Sequence, residues 1–258
     1  MCETAAILKQ NWIKGVLILV AAIRFESVEK RFGSSGVFAG LDLEVAAGGF
    51  FGLAGVNGAG KTTLIKCLLD FCALDAGRIE IFGASHLARG ARSRLAYLPE
   101  RFSPPGYLKG GEFLDQAMRL QGRRPDRAAI RAMLEDLDLG HDALQKPVRL
   151  YSKGMTQKLG LAACLLGEKD LLVLDEPMSG LDPRARALVK RKLESRRGMT
   201  LLFTSHSLAD MAELCDTMAV LHDGRLAYSG SPAELGPSPE QAFLDMTGAS
   251  GCTSIISA

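Results

Sequence analysis

Residues 50–63, FFGLAGVNGAGKTT, leave the fold the least freedom. A short apolar run of strand type, FFGLA, passes straight into a glycine-rich turn, and the helical stretch TTLIKCLLDF follows at once. Gly55, Gly60, Lys61 and Thr62 satisfy the spacing GxxxxGK[ST] in the strand–turn–helix context that gives this spacing its meaning. Glycines let successive backbone N–H groups curl round phosphate oxygens, and the helix amino terminus adds positive potential. Lys61 is then placed to reach the β- and γ-phosphates, and the Thr62 hydroxyl to ligate Mg²⁺. Asn57, Gly58 and Thr63 complete the set expected to hold the phosphates of a nucleotide together with Mg²⁺.

A second element points the same way. LLVLDEP, 171–177, is a buried-type apolar strand that ends in two adjacent acids. Asp175 at the strand end is expected to face the Mg²⁺ shell, and Glu176 at its tip the γ-phosphate side. Both should be ionised beside a bound cation, because nearby positive charge favours the carboxylate.

The rest of the chain reads as an α/β core interrupted once. The strand-like segments IRFESV, FFGLAG, RIEIFG, RLAYLP, LLVLDE, TLLFTSH and TMAVLHDGRLAYSG alternate with helical ones, the pattern of a largely parallel sheet with an antiparallel portion. Between LAYLPE and LLVLDE the strands stop. Ile130, Met133, Leu134 and Leu137 there recur at i, i+3, i+4, i+7, an amphipathic helix, so residues about 101–165 read as a helical insert.

Composition removes several alternatives. With 258 residues, 47% hydrophobic, 23% charged and a formal charge of +2, the chain is of soluble globular type, long enough for one sizeable core plus a subdomain. A nucleic-acid partner is not expected without a strong basic excess. Arg123, Arg124 and Arg127, and the group Lys190, Arg191, Lys192, Arg196 and Arg197, read as solvated helix faces. The six cysteines, Cys2, Cys67, Cys72, Cys164, Cys215 and Cys252, form no CxxC pair and no Cys/His cluster. Buried free thiols are therefore expected, with neither a disulfide framework nor a metal beyond Mg²⁺. The apolar run VLILVAAI, 16–23, is far shorter than the about 20 residues of a spanning helix. Residues 1–22 read as an extension leading into the first strand, AAIRFESVEK, with the translation start left open within them.

Taken together, the phosphate loop, the LLVLDEP strand and YSKGM at 151–155 resemble the ATP-binding subunit of an ABC transporter, over about residues 23–247. The resemblance implies a P-loop NTPase (RecA-like) core, 23–100 and 166–230, with the helical subdomain at about 101–165 and a tail at 248–258. YSKGM stands where the family carries its LSGGQ signature. Ser152 and Gly154 are by that likeness expected to close, across a head-to-tail dimer, on the γ-phosphate held by the partner's phosphate loop. Phe32 resembles the adenine-stacking aromatic, and Asp182 in SGLD the acid of the loop that couples two sites. His206 in FTSHS resembles the switch histidine at the γ-phosphate. Lys61, Glu176 and His206 form the implied catalytic set, with Glu176 polarising the attacking water.

The chain departs from the family pattern at several places. Tyr151, Lys153 and Met155 replace Leu, Gly and Gln in the signature, and Glu100 stands where a glutamine is usual. A carboxylate still offers oxygen to Mg²⁺, so Glu100 joins Thr62 and Asp175 as expected metal ligands, but it cannot donate as an amide does. YLPE, SKGM and GLAACLLG look more like type-2 exporters than importers. The expected role is thus the ATPase of an exporter, cytoplasmic and peripheral on the inner membrane face. It would work with a separate transmembrane permease and a second ATPase subunit, as homodimer or heterodimer. A soluble ABC ATPase with a non-transport assembly role is the alternative.

Overall fold

The computed structural model describes residues 21–236 and 238–248, together with the backbone of two short strands, β1 (Asn11–Ile13) and β2 (Val16–Ile18). These two pair antiparallel with each other as a separate ribbon. The remainder of VLILVAAI before Ala21, and residues 249–258 of the expected tail, lie outside the described residues.

The first full strand, β3 (Ala21–Phe32), turns back into β4 (Ser35–Ala46), an antiparallel pair with several register shifts. β5 (Phe50–Gly55) follows, then helix α1 (Lys61–Leu68). β6 (Ala76–Ile81) and β7 (Ala84–Ser85) join β3 and β4 in a four-stranded antiparallel sheet of order β4-β3-β6-β7. β4 was absent from the strand reading of the sequence. Its glycines and acids dilute the apolar signal, yet Leu41, Leu43 and Val45 are buried on one face at period two.

After the short helix α2 (Arg89–Arg92) come β8 (Leu95–Leu98), β9 (Leu171–Leu174), β10 (Thr200–Thr204), β11 (Thr217–His222) and β12 (Arg225–Gly230). With β5 they form a six-stranded sheet of order β12-β11-β5-β10-β9-β8, parallel except for β12. Parallel strands covered on both faces read as unbroken apolar runs. Leu171 and Val173 of β9 and Leu202 of β10 face the layer shared with α1 and the antiparallel sheet. Leu172, Leu174, Leu201 and Phe203 face the other layer, shared with the helices that follow β8. The sheet is thus the middle of three layers.

Between β8 and β9 the described elements are helical: α3 (Gly110–Leu120), α4 (Arg127–Asp136) and α5 (Lys153–Leu166), with two 3₁₀ turns. Asp126 caps α4 by accepting the N–H groups of Ala128 and Ala129, and Ile130, Met133, Leu134 and Leu137 are buried as their spacing predicts. The basic clusters are more than solvated faces. Lys192 bonds Asp136 across from α4, Arg123 bonds Glu168, and Lys190 bonds Asp210 and Glu213, tying α6 (Pro183–Glu194) to α7 (Leu208–Leu214). The last described helix is α8 (Pro239–Met246). Cys67 and Cys164 are buried free thiols, Cys72 and Cys215 are half-buried, and Cys2 and Cys252 lie outside the described residues.

Helix α5 connects the helical segment to the sheet. Its second half is buried, and a Cβ on Gly160 would lie 2.6 Å from Leu98 Cδ1 and 2.8 Å from Phe102 Cδ1. Only glycine allows α5 to approach β8 this closely. Gly160→Val should therefore lower stability by about 2 kcal/mol, since overpacking a filled interface outweighs the modest gain in helix propensity. The urea midpoint measures it.

Candidate functional site

Because β5, β8, β9 and β10 run parallel, their carboxyl ends lie along one edge of the sheet, where open α/β sheets bind ligands. Four loops leave that edge together: 56–60 after β5, 99–100 after β8, 175–179 after β9 and 205–206 after β10. The sequence elements read separately above converge there.

The glycine-rich loop is backed by β4. Gly60 has φ +107°, and a Cβ on it would lie 2.8 Å from the Phe38 ring and 2.9 Å from Val37 Cγ1. This position accepts neither a side chain nor the usual backbone of one. Lys61 opens α1 but is only 8% exposed. Its ammonium folds back to donate to the carbonyls of Gly55 at 2.6 Å and Val56 at 3.3 Å, holding the loop curved. Burial draws its pKa below the ordinary lysine value, while Glu176, Asp175 and Glu100 act against that shift.

Asp175 is 1% exposed, a carboxylate taken almost wholly from water. Two hydroxyls satisfy it: Thr62 Oγ1–H donates to Oδ2 at 2.9 Å and Thr204 Oγ1–H to Oδ1 at 2.6 Å. Thr204 also accepts the Glu176 N–H at 2.9 Å, so one buried hydroxyl joins both acids to β10. Glu176 has φ +49°, a left-handed conformation sparsely used by residues with a side chain. Its Oε2 accepts from His206 Nδ1–H at 2.9 Å.

A cleft of about 490 Å³ lies over these groups, lined by Asn57, Gly58, Ala59, Gly60, Lys61, Thr62, Thr63, Glu100, Asp175, Glu176, Ser179 and His206. Three carboxylates sit beside a buried ammonium and the N–H-rich start of α1. A bare anion would be repelled by the acids, and a bare cation by Lys61 and the helix end. A polyphosphate carrying a divalent cation satisfies both halves, so the residues present fit Mg²⁺ with a nucleoside triphosphate.

Other residues named from the sequence lie outside this cleft. Phe32 ends β3, 54% exposed, with the Lys30 ammonium 5.1 Å from its ring centre. Ser152 caps α5, its Oγ accepting the Met155 N–H at 3.2 Å; the hydroxyl hydrogen remains available to another acceptor. Gly154 lies in the first turn of that helix, where an added Cβ would be 3.7 Å from the Gly180 carbonyl oxygen. Asp182 caps α6 through Ala185 N–H at 2.9 Å, and this bond holds its carboxyl below the usual range. Thr204 and Ser179 were not singled out from the sequence. Thr204 carried a signal: a hydroxyl at the carboxyl end of a buried strand needs a polar partner.

Residues 38–179 match the family model described as ABC transporter. A Synechocystis ABC transporter ATP-binding protein is 41% identical over 200 residues, 76% of this chain and 56% of that protein. The daunorubicin resistance ATP-binding protein DrrA3 of Streptomyces coeruleorubidus is 40% identical over 220 residues, 83% of this chain and 69% of that one. The Nod factor export ATP-binding protein I of Burkholderia lata is 39% identical over 222 residues, 84% and 73% respectively. The chain thus spans little more than half of the first relative and about seven-tenths of the other two. Among solved structures, an ATP-binding subunit of an ABC transporter superposes with TM-score 0.80 at 26% identity, covering 87% of this chain and 99% of that one.

The site analysis yields one direct test. Thr204→Val keeps the shape but leaves an Asp175 oxygen and the Glu176 N–H without partners. Stability should fall by about 2–3 kcal/mol, the range for unsatisfied buried polar groups, as read from thermal melts.

Proposed function

This chain belongs to the ABC transporter family, and from that premise we propose that it binds and hydrolyses ATP to drive an exporter. Two copies, or this chain and a related subunit, close head to tail around two ATP. The observation that carries this reading is the division of the phosphate-directed groups. Lys61, Thr62, Asp175, Glu176 and His206 surround one cleft, while Ser152 and Gly154 stand apart at the exposed start of α5, offering a hydroxyl and a helix amino terminus to an acceptor outside their own chain.

Within each composite site, Phe32 stacks on the adenine. The loop N–H groups and Lys61 hold the β- and γ-phosphates, and the partner's copy of the YSKGM turn closes on the γ-phosphate. Thr62, Asp175 and Glu100 would hold Mg²⁺, whose chemistry is to neutralise charge on the transferring phosphoryl oxygens. Glu176 orients the attacking water and accepts its proton. His206, bonded to Glu176 through Nδ1, keeps that carboxylate in place and senses the γ-phosphate. Asp182 couples the two sites across the dimer. Positioning and preorganised charge supply most of the rate.

Among the described residues no helix is long and apolar enough to cross a membrane. The likeness to ATP-binding proteins of transporters supports a separate permease as the element that takes up the work of closure, with this chain peripheral on the inner face of the cell membrane. The names of the Streptomyces and Burkholderia relatives, resistance and export proteins, support the exporter direction.

Two experiments test this. Glu176→Gln should bind ATP like the native protein, lose turnover by about 100-fold or more, and run as a nucleotide-dependent dimer in gel filtration; undiminished hydrolysis would remove Glu176 from the mechanism. Lys61→Ala and Gly154→Asp should each be inactive alone, since each damages both sites. Mixed, they form heterodimers with one site intact, and ATPase activity should return in proportion to the heterodimer fraction measured by tagged co-purification. Background activity in proven heterodimers, with permease supplied, would end the trans assignment of Ser152 and Gly154.

A further inference from the structure

Gln157 is a buried polar side chain that the mechanism above does not use. It lies in α5, one turn beyond Gly154, and is 5% exposed. Its Nε2–H donates to the Pro177 carbonyl oxygen at 3.1 Å. That carbonyl belongs to the residue following Glu176, so an amide in the signature helix grips the backbone next to the proposed water-activating acid.

The grip falls where the backbone most needs support. Glu176 holds φ +49° directly before a proline, a position that ordinarily favours extended backbone. Its N–H side is fixed to Thr204 Oγ1 at 2.9 Å. On the other side, Gln157 fixes the next carbonyl. Removing either clamp lets the segment relax toward extended backbone, which swings the Glu176 carboxylate.

The same helix start lies close to the same loop: a Cβ added at Gly154 would come within 3.7 Å of the Gly180 carbonyl oxygen and of Leu181 Cδ2. The Lys153 side chain covers Gly180, where a Cβ would meet its Cδ and Cε at 2.9 Å. The start of α5 and the loop 176–181 therefore shift together.

We propose that Gln157 is a positioning residue: through the Pro177 carbonyl it sets the place of Glu176 in its own site according to where the start of α5 lies. Since Ser152 and Gly154 at that start are assigned to the partner's ATP, closure on one nucleotide adjusts the water-activating acid at the other. This rests on the reading that Glu176 activates water and that the signature acts in trans.

Gln157→Met fills the same space without a donor. The kcat should fall about tenfold or more, because small misplacements of a catalytic group are costly, while KM for ATP stays within about twofold. The Hill coefficient for ATP should fall toward one, which loss of folded protein alone would not produce. Gln157→Glu supplies a second measurement should the methionine variant fold poorly. Its new carboxyl donates to the Pro177 carbonyl only when protonated, so its kcat relative to native should be higher at pH 6 than at pH 9. Native kcat and cooperativity in Gln157→Met would overturn the proposal, as would a rise in KM with kcat unchanged. So would native kcat in Gln157→Glu at pH 9, where its carboxylate cannot donate. Glu176→Gln run alongside separates the two readings: if it hydrolyses ATP normally, the assignment of Glu176 fails first; if it is inactive while Gln157→Met is native, only the positioning role fails.

Discussion

The carboxylate of Asp175, held between the hydroxyls of Thr62 and Thr204, is the interaction on which the rest of the site depends. At 1% exposure an ionised acid is tolerable only where hydrogen bonds replace its hydration. Its two hydroxyl donors come from α1 and β10, and its own N–H donates to the Leu98 carbonyl of β8. One side chain and its backbone thus register four elements, and each sends a group to the cleft: the loop before α1, Glu100 after β8, Glu176 after β9 and His206 after β10. The parallel topology brings those ends to one edge, and the polar knot fixes them there.

What the knot fixes, it does not fully neutralise. Lys61 is buried with only carbonyl partners, and burial draws its pKa down. A base whose value is lower in the folded chain than in the unfolded one subtracts stability while both forms are protonated. The penalty eases as pH rises from the lowered value toward 10.5. Glu176 adds a second strained element in its left-handed backbone. On the proposed reading both strains relate to one ligand: a polyphosphate would pair with the ammonium, and a water beside it would give Glu176 its task. Stability withheld in the free site would then become stability on binding.

The local chemistry was legible in the sequence because strand–loop–helix punctuation and acidic strand ends are short-range signals. GVNGAGKTT and LLVLDEP announced Lys61, Thr62, Asp175 and Glu176, and the stripe from Ile130 to Leu137 announced α4. β4 was not legible, since its alternation is broken by Gly36 and Gly40, although Phe38 on it backs the phosphate loop. Thr204 and Gln157 were not legible either. Their partners lie 29 and 20 residues away, and only the register of β10 on β9 and the seat of α5 on β8 bring them together. Ion pairs such as Lys190 with Asp210 were hidden for the same reason.

The departures in YSKGM acquire a physical sense from these contacts. Tyr151 donates its hydroxyl to the Ala143 carbonyl at 2.6 Å, anchoring the start of α5 to the preceding 3₁₀ turn, a bond leucine could not make. Lys153 lays its methylenes along Gly180, whose φ of +75° favours glycine in its own right. Lys153 and, one turn on, Gln157 thus hold the start of α5 against the segment that follows Glu176. The Ser152 side chain bonds only within α5, to the Met155 N–H, and Gly154 has no side chain, so on the proposed reading both keep the room a phosphate would need.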